Sequence, residues 1–162
     1  MCMKTRHDRE RAVSDELIRC PNCGRRNRVP TAAAGTPRCG HCHQSLPWIA
    51  DAGDDTFAEL AEAASVPVIV DLWAPWCGPC RMVSPALEQL ATERAGQLKL
   101  VKVDVDKAPA ISQRFSVQAV PTLLLLDHGQ ILRRQSGAAP VAALRSWLDE
   151  AMSADGSKEA RS

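Results

Sequence analysis

Six of the seven cysteines in this chain fall into three C-x-x-C pairs, Cys20/Cys23, Cys39/Cys42 and Cys77/Cys80, with Cys2 left over. No other feature restricts the fold as strongly, because thiols at that spacing serve metal sites, redox turns or disulfides. The N-terminus, M-C-M-K-T-R-H-D-R-E-R, carries charge with no apolar region behind it, so a secretory leader is not expected. No run of 18 apolar residues exists, so no membrane span is expected either. The expected compartment is the cytoplasm, where thiols are kept reduced and structural disulfides are the weaker reading.

Charge and composition divide the chain. Residues 1–47 hold nine Lys/Arg against four Asp/Glu, and residues 48–162 hold eleven against fifteen, so a basic unit precedes an acidic one. Residues 1–14 are polar and aperiodic and read as a mobile tail, in which Cys2 is an exposed thiol with no role. Residues 15–47 contain four cysteines, four prolines and little apolar content. A segment so small needs a staple in place of a hydrophobic core.

The pattern Cys20-x-x-Cys23 … Cys39-x-x-Cys42 supplies one. Each C-x-x-C turn brings two sulfurs to one side, and two turns complete a tetrahedron of thiolates about 2.3 Å from one Zn2+. Gly24 and Gly40 suit the tight turns because glycine tolerates positive φ. Four thiolates leave no open coordination position, so this zinc would be structural, and its binding energy would be folding energy. Two disulfides or an iron–sulfur cluster are the alternatives the same residues allow. His41 and His43 read as solvated loop residues. Arg25, Arg26, Arg28 and Arg38 read as a solvated face, since no aromatic residue interleaves to stack on bases, and nucleic acid is not an expected partner.

Residues 48–152 alternate between helix and strand patterns, and residues 153–162 read as a polar C-terminal tail. A helix is expected over 56–64, a strand over 66–73 and a helix over about 79–95 in which Pro85 should introduce a kink. A strand over 98–104, a short helix over 108–114, a hairpin over 122–135 and a helix over 140–152 follow. A β-α-β start followed by a hairpin and a closing helix predicts an α/β fold, a mixed sheet with helices on both faces.

The third pair lies in W-C-G-P-C, residues 76–80, where the strand ends and the helix begins. Free N–H groups and the partial positive charge of a helix N-terminus stabilise a thiolate on its first cysteine. Cys77 is therefore the expected nucleophile, and Cys80, one turn further in and more enclosed, the resolving thiol. Trp76, beside the nucleophile, reads as partly exposed at a contact surface.

The segments D-L-W-A-P-W-C-G-P-C-R-M and A-V-P-T-L-L-L-L resemble the thioredoxin family over about residues 55–152. The preceding C-P-N-C-G-R-R-N-R-V-P with C-G-H-C resembles the zinc-bearing N-terminal segment of its bacterial thioredoxin 2 branch. The resemblance implies a thioredoxin fold after a small zinc ribbon, and a cytosolic protein-disulfide reductase. It implies disulfide-containing protein substrates, re-reduction by an NADPH-dependent thioredoxin reductase, no bound organic cofactor and a monomer. It gives Asp71 a part in proton transfer with Cys80, and makes Lys102 that aspartate's neighbour. Pro121 is implied to be cis, leaving the Val120 backbone open to an extended substrate, with Gly137, Gly78 and Pro79 lining the same groove. Ala119 departs from a common glycine, Leu72 from a common aromatic, and Asp127-His128-Gly129 from a common Lys-Asn-Gly turn. The rival readings are an oxidising or isomerising enzyme, a zinc ribbon that recruits the larger domain to a partner, and a redox sensor in which oxidised zinc thiolates release the metal.

Overall fold

The computed structural model describes residues 15–31 and 36–160; the N-terminal tail expected to be mobile, with Cys2, lies outside the described residues. The first sheet is a two-stranded antiparallel hairpin of β1 (Asp15–Arg19) and β2 (Arg26–Pro30). The second has five strands in the order β3-β5-β4-β6-β7. These are β3 (Ile49–Ala52), β4 (Val68–Trp73), β5 (Lys99–Asp104), β6 (Thr122–Asp127) and β7 (Gln130–Ser136). The strands β3, β5 and β4 are parallel, β6 runs antiparallel to them, and β7, antiparallel to β6, returns to their direction. The helices are α1 (Ala58–Glu62, one π-type turn), α2 (Gly78–Glu93), α3 (Pro109–Arg114) and α4 (Val141–Ala160).

Strand alternation explains the two cores. Val68, Val70 and Leu72 of β4 and Val101 and Val103 of β5 face one side, where they meet Phe57, Ala61, Ile111 and Phe115 of the α1 and α3 regions. Ile69 and Leu100 face the other side and pack under Val83, Leu87 and Leu90 of α2 and Leu144 and Leu148 of α4. By the same alternation Asp71 and Lys102, paired across β4 and β5, lie on the α2 side of the sheet. An ionisable pair thus sits beneath the first turns of the helix that carries Cys80.

The expected mixed sheet with helices on both faces is present, with two local differences. Strand β3 was not expected: its four residues, I-A-D-A, have too little β-propensity to stand out, and pairing with β5 makes it a strand. As expected, helix α2 carries Pro85 inside it, and the missing N–H there deprives the Arg81 carbonyl of its helical partner. Helix α4 runs to Ala160 rather than stopping at 152, so it extends into the segment expected to be a polar tail. No proline interrupts it.

The small hairpin unit holds its own cluster, in which Cys20, Val29, Cys39, Leu46 and Trp48 are buried. It docks at the N-terminal end of β5. The indole N–H of Trp48 donates to the Pro30 carbonyl (3.1 Å), and the Lys99 ammonium donates to the Thr31 carbonyl (2.6 Å) while lying 4.1 Å from the Trp48 ring centre. A cleft of about 300 Å³ marks the seam, with Pro21, Asn22, Gln44 and Ser45 on one side and Thr92, Glu93 and Ala95 on the other. The hairpin unit therefore meets the C-terminal end of α2, and the Cys77/Cys80 turn stands at its N-terminal end. Sixteen helical residues, roughly 24 Å, separate the two.

Candidate redox site and candidate metal centre

The strand β4 delivers the chain to Ala74, whose carbonyl accepts the Cys77 N–H (3.1 Å), and α2 starts at Gly78. Cys77 is the N-cap: its backbone is extended, and its sulfur accepts the Cys80 N–H at 3.2 Å. One of the unpaired donors of the first turn is thereby aimed at the Cys77 sulfur. The two sulfurs are joined as a disulfide, with Cα atoms 5.4 Å apart. Exposure does not separate the two thiols as the sequence suggested: Cys77 is 3% and Cys80 2% exposed. In the disulfide form each covers the other, and the capping geometry, not burial, distinguishes them.

Around this pair the structure gathers most of the residues named from sequence. Val120 packs against the cluster of Ala74, Cys77 and Cys80. The Val120–Pro121 bond is cis, and the Pro121 carbonyl accepts the Gly137 N–H (2.9 Å). Gly137 has φ +94°, a conformation that favours glycine, and a Cβ there would meet no neighbouring atom. Gly78 and Pro79 are exposed at the helix start. Trp76 is 69% exposed, yet its indole N–H is tied to the Asp106 carboxylate at 3.0 Å. Nothing in the sequence marked Asp106 for that role.

Beneath the pair, Asp71 is fully buried. Its Oδ2 accepts the Ser84 hydroxyl (3.0 Å), and its Oδ1 has no partner among the described residues. Burial pushes the Asp71 carboxyl up to about 6, against the opposing pull of the Ser84 hydrogen bond and the Lys102 charge. Lys102 is Asp71's register partner, but its ammonium pairs with the Glu88 carboxylate at 3.3 Å. Ser84 and Glu88 were missed from sequence. They lie four and eight residues after Cys80, so helical periodicity alone would have placed them on its face. A cleft of about 220 Å³, lined by Trp73, Ala74, Pro75, Cys80, Arg81, Ser84 and Lys102, opens along this side.

The four remaining described cysteines converge. The sulfurs of Cys20, Cys23, Cys39 and Cys42 all lie within 4.8 Å of one another, with Cys20–Cys42 at 3.5 Å and Cys23–Cys39 at 3.6 Å. A tetrahedron with metal–sulfur bonds of about 2.3 Å has edges of about 3.8 Å, so the four are positioned to hold one metal ion. Two matching turns set them. The Cys20 carbonyl accepts the Gly24 N–H and the Cys39 carbonyl accepts the His43 N–H, both at 2.9 Å. Gly24 has φ +76° and His43 has φ +65°. The left-handed residue of the second turn is therefore His43 and not Gly40, because each turn reverses just after its second cysteine. Asn27, also unread from sequence, ties the turns together: its side chain accepts the Gly40 N–H (2.9 Å) and donates to Cys39 Sγ (3.4 Å) and the Arg25 carbonyl (3.1 Å). The backbone N–H groups of Cys42 and His41, with the Asn27 amide, hold the Cys39 thiol down at about 5. His41 and His43 are exposed.

Comparison with known proteins matches the family described as Thioredoxin over residues 49–150. The chain belongs to the thioredoxin family. It is 36% identical to "Thioredoxin C-3" of Corynebacterium nephridii over 137 residues, which cover 83% of this chain and 94% of that protein. It is 41% identical to "Thioredoxin" of Haemophilus influenzae and 46% identical to "Thioredoxin" of Mycobacterium bovis. Each of these matches covers 60% of this chain, with 91% and 84% of the respective relatives. The match to Thioredoxin C-3 is too long to be contained in residues 49–162, so it reaches into the cysteine-bearing segment before them. The protein is a thiol–disulfide oxidoreductase with protein-disulfide reductase activity, of a family that acts on disulfide substrates together with thioredoxin reductase. Among the described residues no helix is long and apolar enough to cross a membrane.

Proposed function

We propose that this thioredoxin-family member is a cytoplasmic, monomeric reductase of the thioredoxin 2 type, with Cys77 as nucleophile, Cys80 as resolving thiol and one structural Zn2+ on Cys20, Cys23, Cys39 and Cys42. The observation that carries the first part is the capped sulfur: Cys77 sits where a helix N-terminus directs an N–H at it. In the reduced protein that arrangement stabilises the Cys77 thiolate.

The reaction follows from it. The Cys77 thiolate attacks one sulfur of a substrate disulfide, forming a mixed disulfide and releasing the other substrate sulfur as a thiolate, which takes a proton from solvent. Cys80 then loses its proton to the Asp71 carboxylate and attacks Cys77 Sγ. The Cys77–substrate bond breaks, and the Cys77–Cys80 disulfide forms as the second substrate thiol leaves. Two electrons pass from the dithiol to the substrate, and an NADPH-dependent thioredoxin reductase restores them. Lys102 flanks Asp71 and favours its charged form.

Trp76, Gly78, Pro79, Val120, Pro121 and Gly137 form the substrate groove. The open space over Gly137 and the lack of an N–H on Pro121 support an extended segment pairing with the Val120 backbone. The metal would staple the ribbon and supply no step. The cross-pair sulfur distances and the length of the match to Thioredoxin C-3 support this assignment.

The test is the reduction potential of the Cys77/Cys80 couple together with NADPH- and thioredoxin-reductase-dependent reduction of a protein disulfide. A potential near the family's value of about −270 mV, with turnover, is expected. A potential well above about −200 mV, in the range of oxidants and isomerases, would overturn the reductase reading.

A further inference from the structure

Ser84 occupies the second turn of α2, where a serine hydroxyl commonly points to solvent or bonds back to the carbonyl four residues earlier. Here the hydroxyl leaves its own helix and donates to Asp71 Oδ2 across the sheet face, 3.0 Å away. Three further observations meet at this residue. Ser84 is half-buried and lines the same cleft as Cys80 and Lys102, whereas Asp71 is fully buried and does not line it. The cleft has room for several water molecules at its volume of about 220 Å³. The second Asp71 oxygen, Oδ1, has no partner among the described residues, so Ser84 makes the carboxyl's only side-chain hydrogen bond among them.

We propose that Ser84 is a positioning residue for the resolving step: it fixes the orientation of the buried Asp71 carboxyl and bridges it to the solvent of the Cys80 cleft. This rests on the reading of Asp71 as the acceptor of the Cys80 proton. The hydroxyl holds Oδ2 and leaves Oδ1 free to receive that proton. Once the mixed disulfide is resolved, the Asp71 carboxyl returns its proton to the water of the cleft that Ser84 lines, so the carboxylate is restored without leaving its buried position. The groups facing Asp71 from the packed elements are Ser84 and Glu88 on α2 and Lys102 on β5. Ser84 is the one that contacts it directly among the described residues.

The test is the pH profile, from pH 5 to 9, of the single-turnover rate at which the reduced protein resolves a mixed disulfide with a small aromatic thiol. Wild type, Ser84→Ala, Ser84→Thr and Asp71→Asn would be compared, with a carboxyl carbon titration of Asp71 by NMR in the first three. A hydroxyl hydrogen bond favours the charged carboxylate, so losing it should move the acid limb up by about one pH unit. Starting from about 6, that is about a fivefold loss at pH 6, fading to nothing at pH 8. Threonine should restore the wild-type profile, and Asp71→Asn should lose the limb. A Ser84→Ala profile and titration that superimpose on wild type, with the limb still lost in Asp71→Asn, would overturn the Ser84 proposal and leave Asp71 in place. A shift that threonine does not reverse would trace to packing rather than the hydroxyl and would also overturn it. An unaltered limb in Asp71→Asn would instead remove the Asp71 reading itself.

Discussion

The same four-residue spacing, C-x-x-C, occurs in the hairpin unit and in the thioredoxin-fold unit, and the two produce different sulfur geometries. In the hairpin unit each pair closes a turn that reverses at a left-handed residue, Gly24 or His43. Sulfur contacts run between pairs, Cys20 to Cys42 and Cys23 to Cys39. In the larger unit the residue after the first cysteine opens a sixteen-residue helix, and the sulfur contact is within the pair. The spacing alone specifies neither metal nor redox work; the backbone that follows decides. A reversing turn presents sulfurs outward to a second turn, and a helix stacks its two sulfurs one turn apart with the helix N–H groups behind the first.

That contrast makes unequal demands on mutation. The largest effect is expected for Cys77→Ser. Disulfide reduction should fall by at least about a thousandfold, since a hydroxyl at neutral pH is a poor substitute for a thiolate, while metal content stays at one per chain. Turnover near wild type in a coupled reductase assay would break the assignment. Removing the metal is expected to act on the other region alone. A strong chelator, or Cys39→Ser, should unfold residues 15–47, because structural zinc contributes on the order of 10 kcal/mol to so small a unit. Reductase turnover should stay within about twofold, because the ribbon docks at the far end of α2. Loss of ribbon amide protection with turnover retained is the expected result in hydrogen exchange, and parallel loss of turnover would show that the two regions are coupled.

Smaller effects sharpen the comparison. Burial raises the Asp71 carboxyl to about 6, above its unfolded value near 4. The unfolded state therefore ionises first, and folding stability falls as pH rises between those values. Asp71→Asn removes that cost. It should stabilise the protein by about 3 kcal/mol at pH 8 and by nothing below about pH 4, as read from urea midpoints at both pH values. A gain that does not depend on pH would contradict the burial argument. The smallest effect is expected at Asn27, which touches a candidate metal thiolate without being a ligand. Asn27→Ala should weaken zinc binding by about tenfold in a competition titration, the low end for an outer-sphere partner, and should not change the reductase rate.

These regions were not equally legible in the sequence. The sheet and helices of residues 66–152 followed from apolar runs such as Val68–Trp73 and Thr122–Leu126, whose burial leaves little freedom of assignment. The strand β3 was invisible because Ile49–Ala52 becomes a strand only by pairing with β5. Gly40 was favoured over His43 because residue identity signals a left-handed turn only when it is glycine. At the redox site the motif and the family resemblance named the cysteines, Asp71 and Pro121. The groups that tie those residues in place, Ser84 on Asp71, Glu88 on Lys102 and Asp106 on Trp76, lie on other elements at contact distances that the sequence does not encode. Ser84 and Glu88 at least share the helical face of Cys80; Asp106 has no such signal.

The division of labour between the two cysteine sets is tested most directly by trapping. Cys80→Ser, loaded with zinc and mixed with an oxidised protein substrate, should accumulate a mixed disulfide that peptide mapping places on Cys77, with one zinc still bound per chain. Capture through Cys20, Cys23, Cys39 or Cys42, or zinc release that keeps pace with capture, would contradict the account.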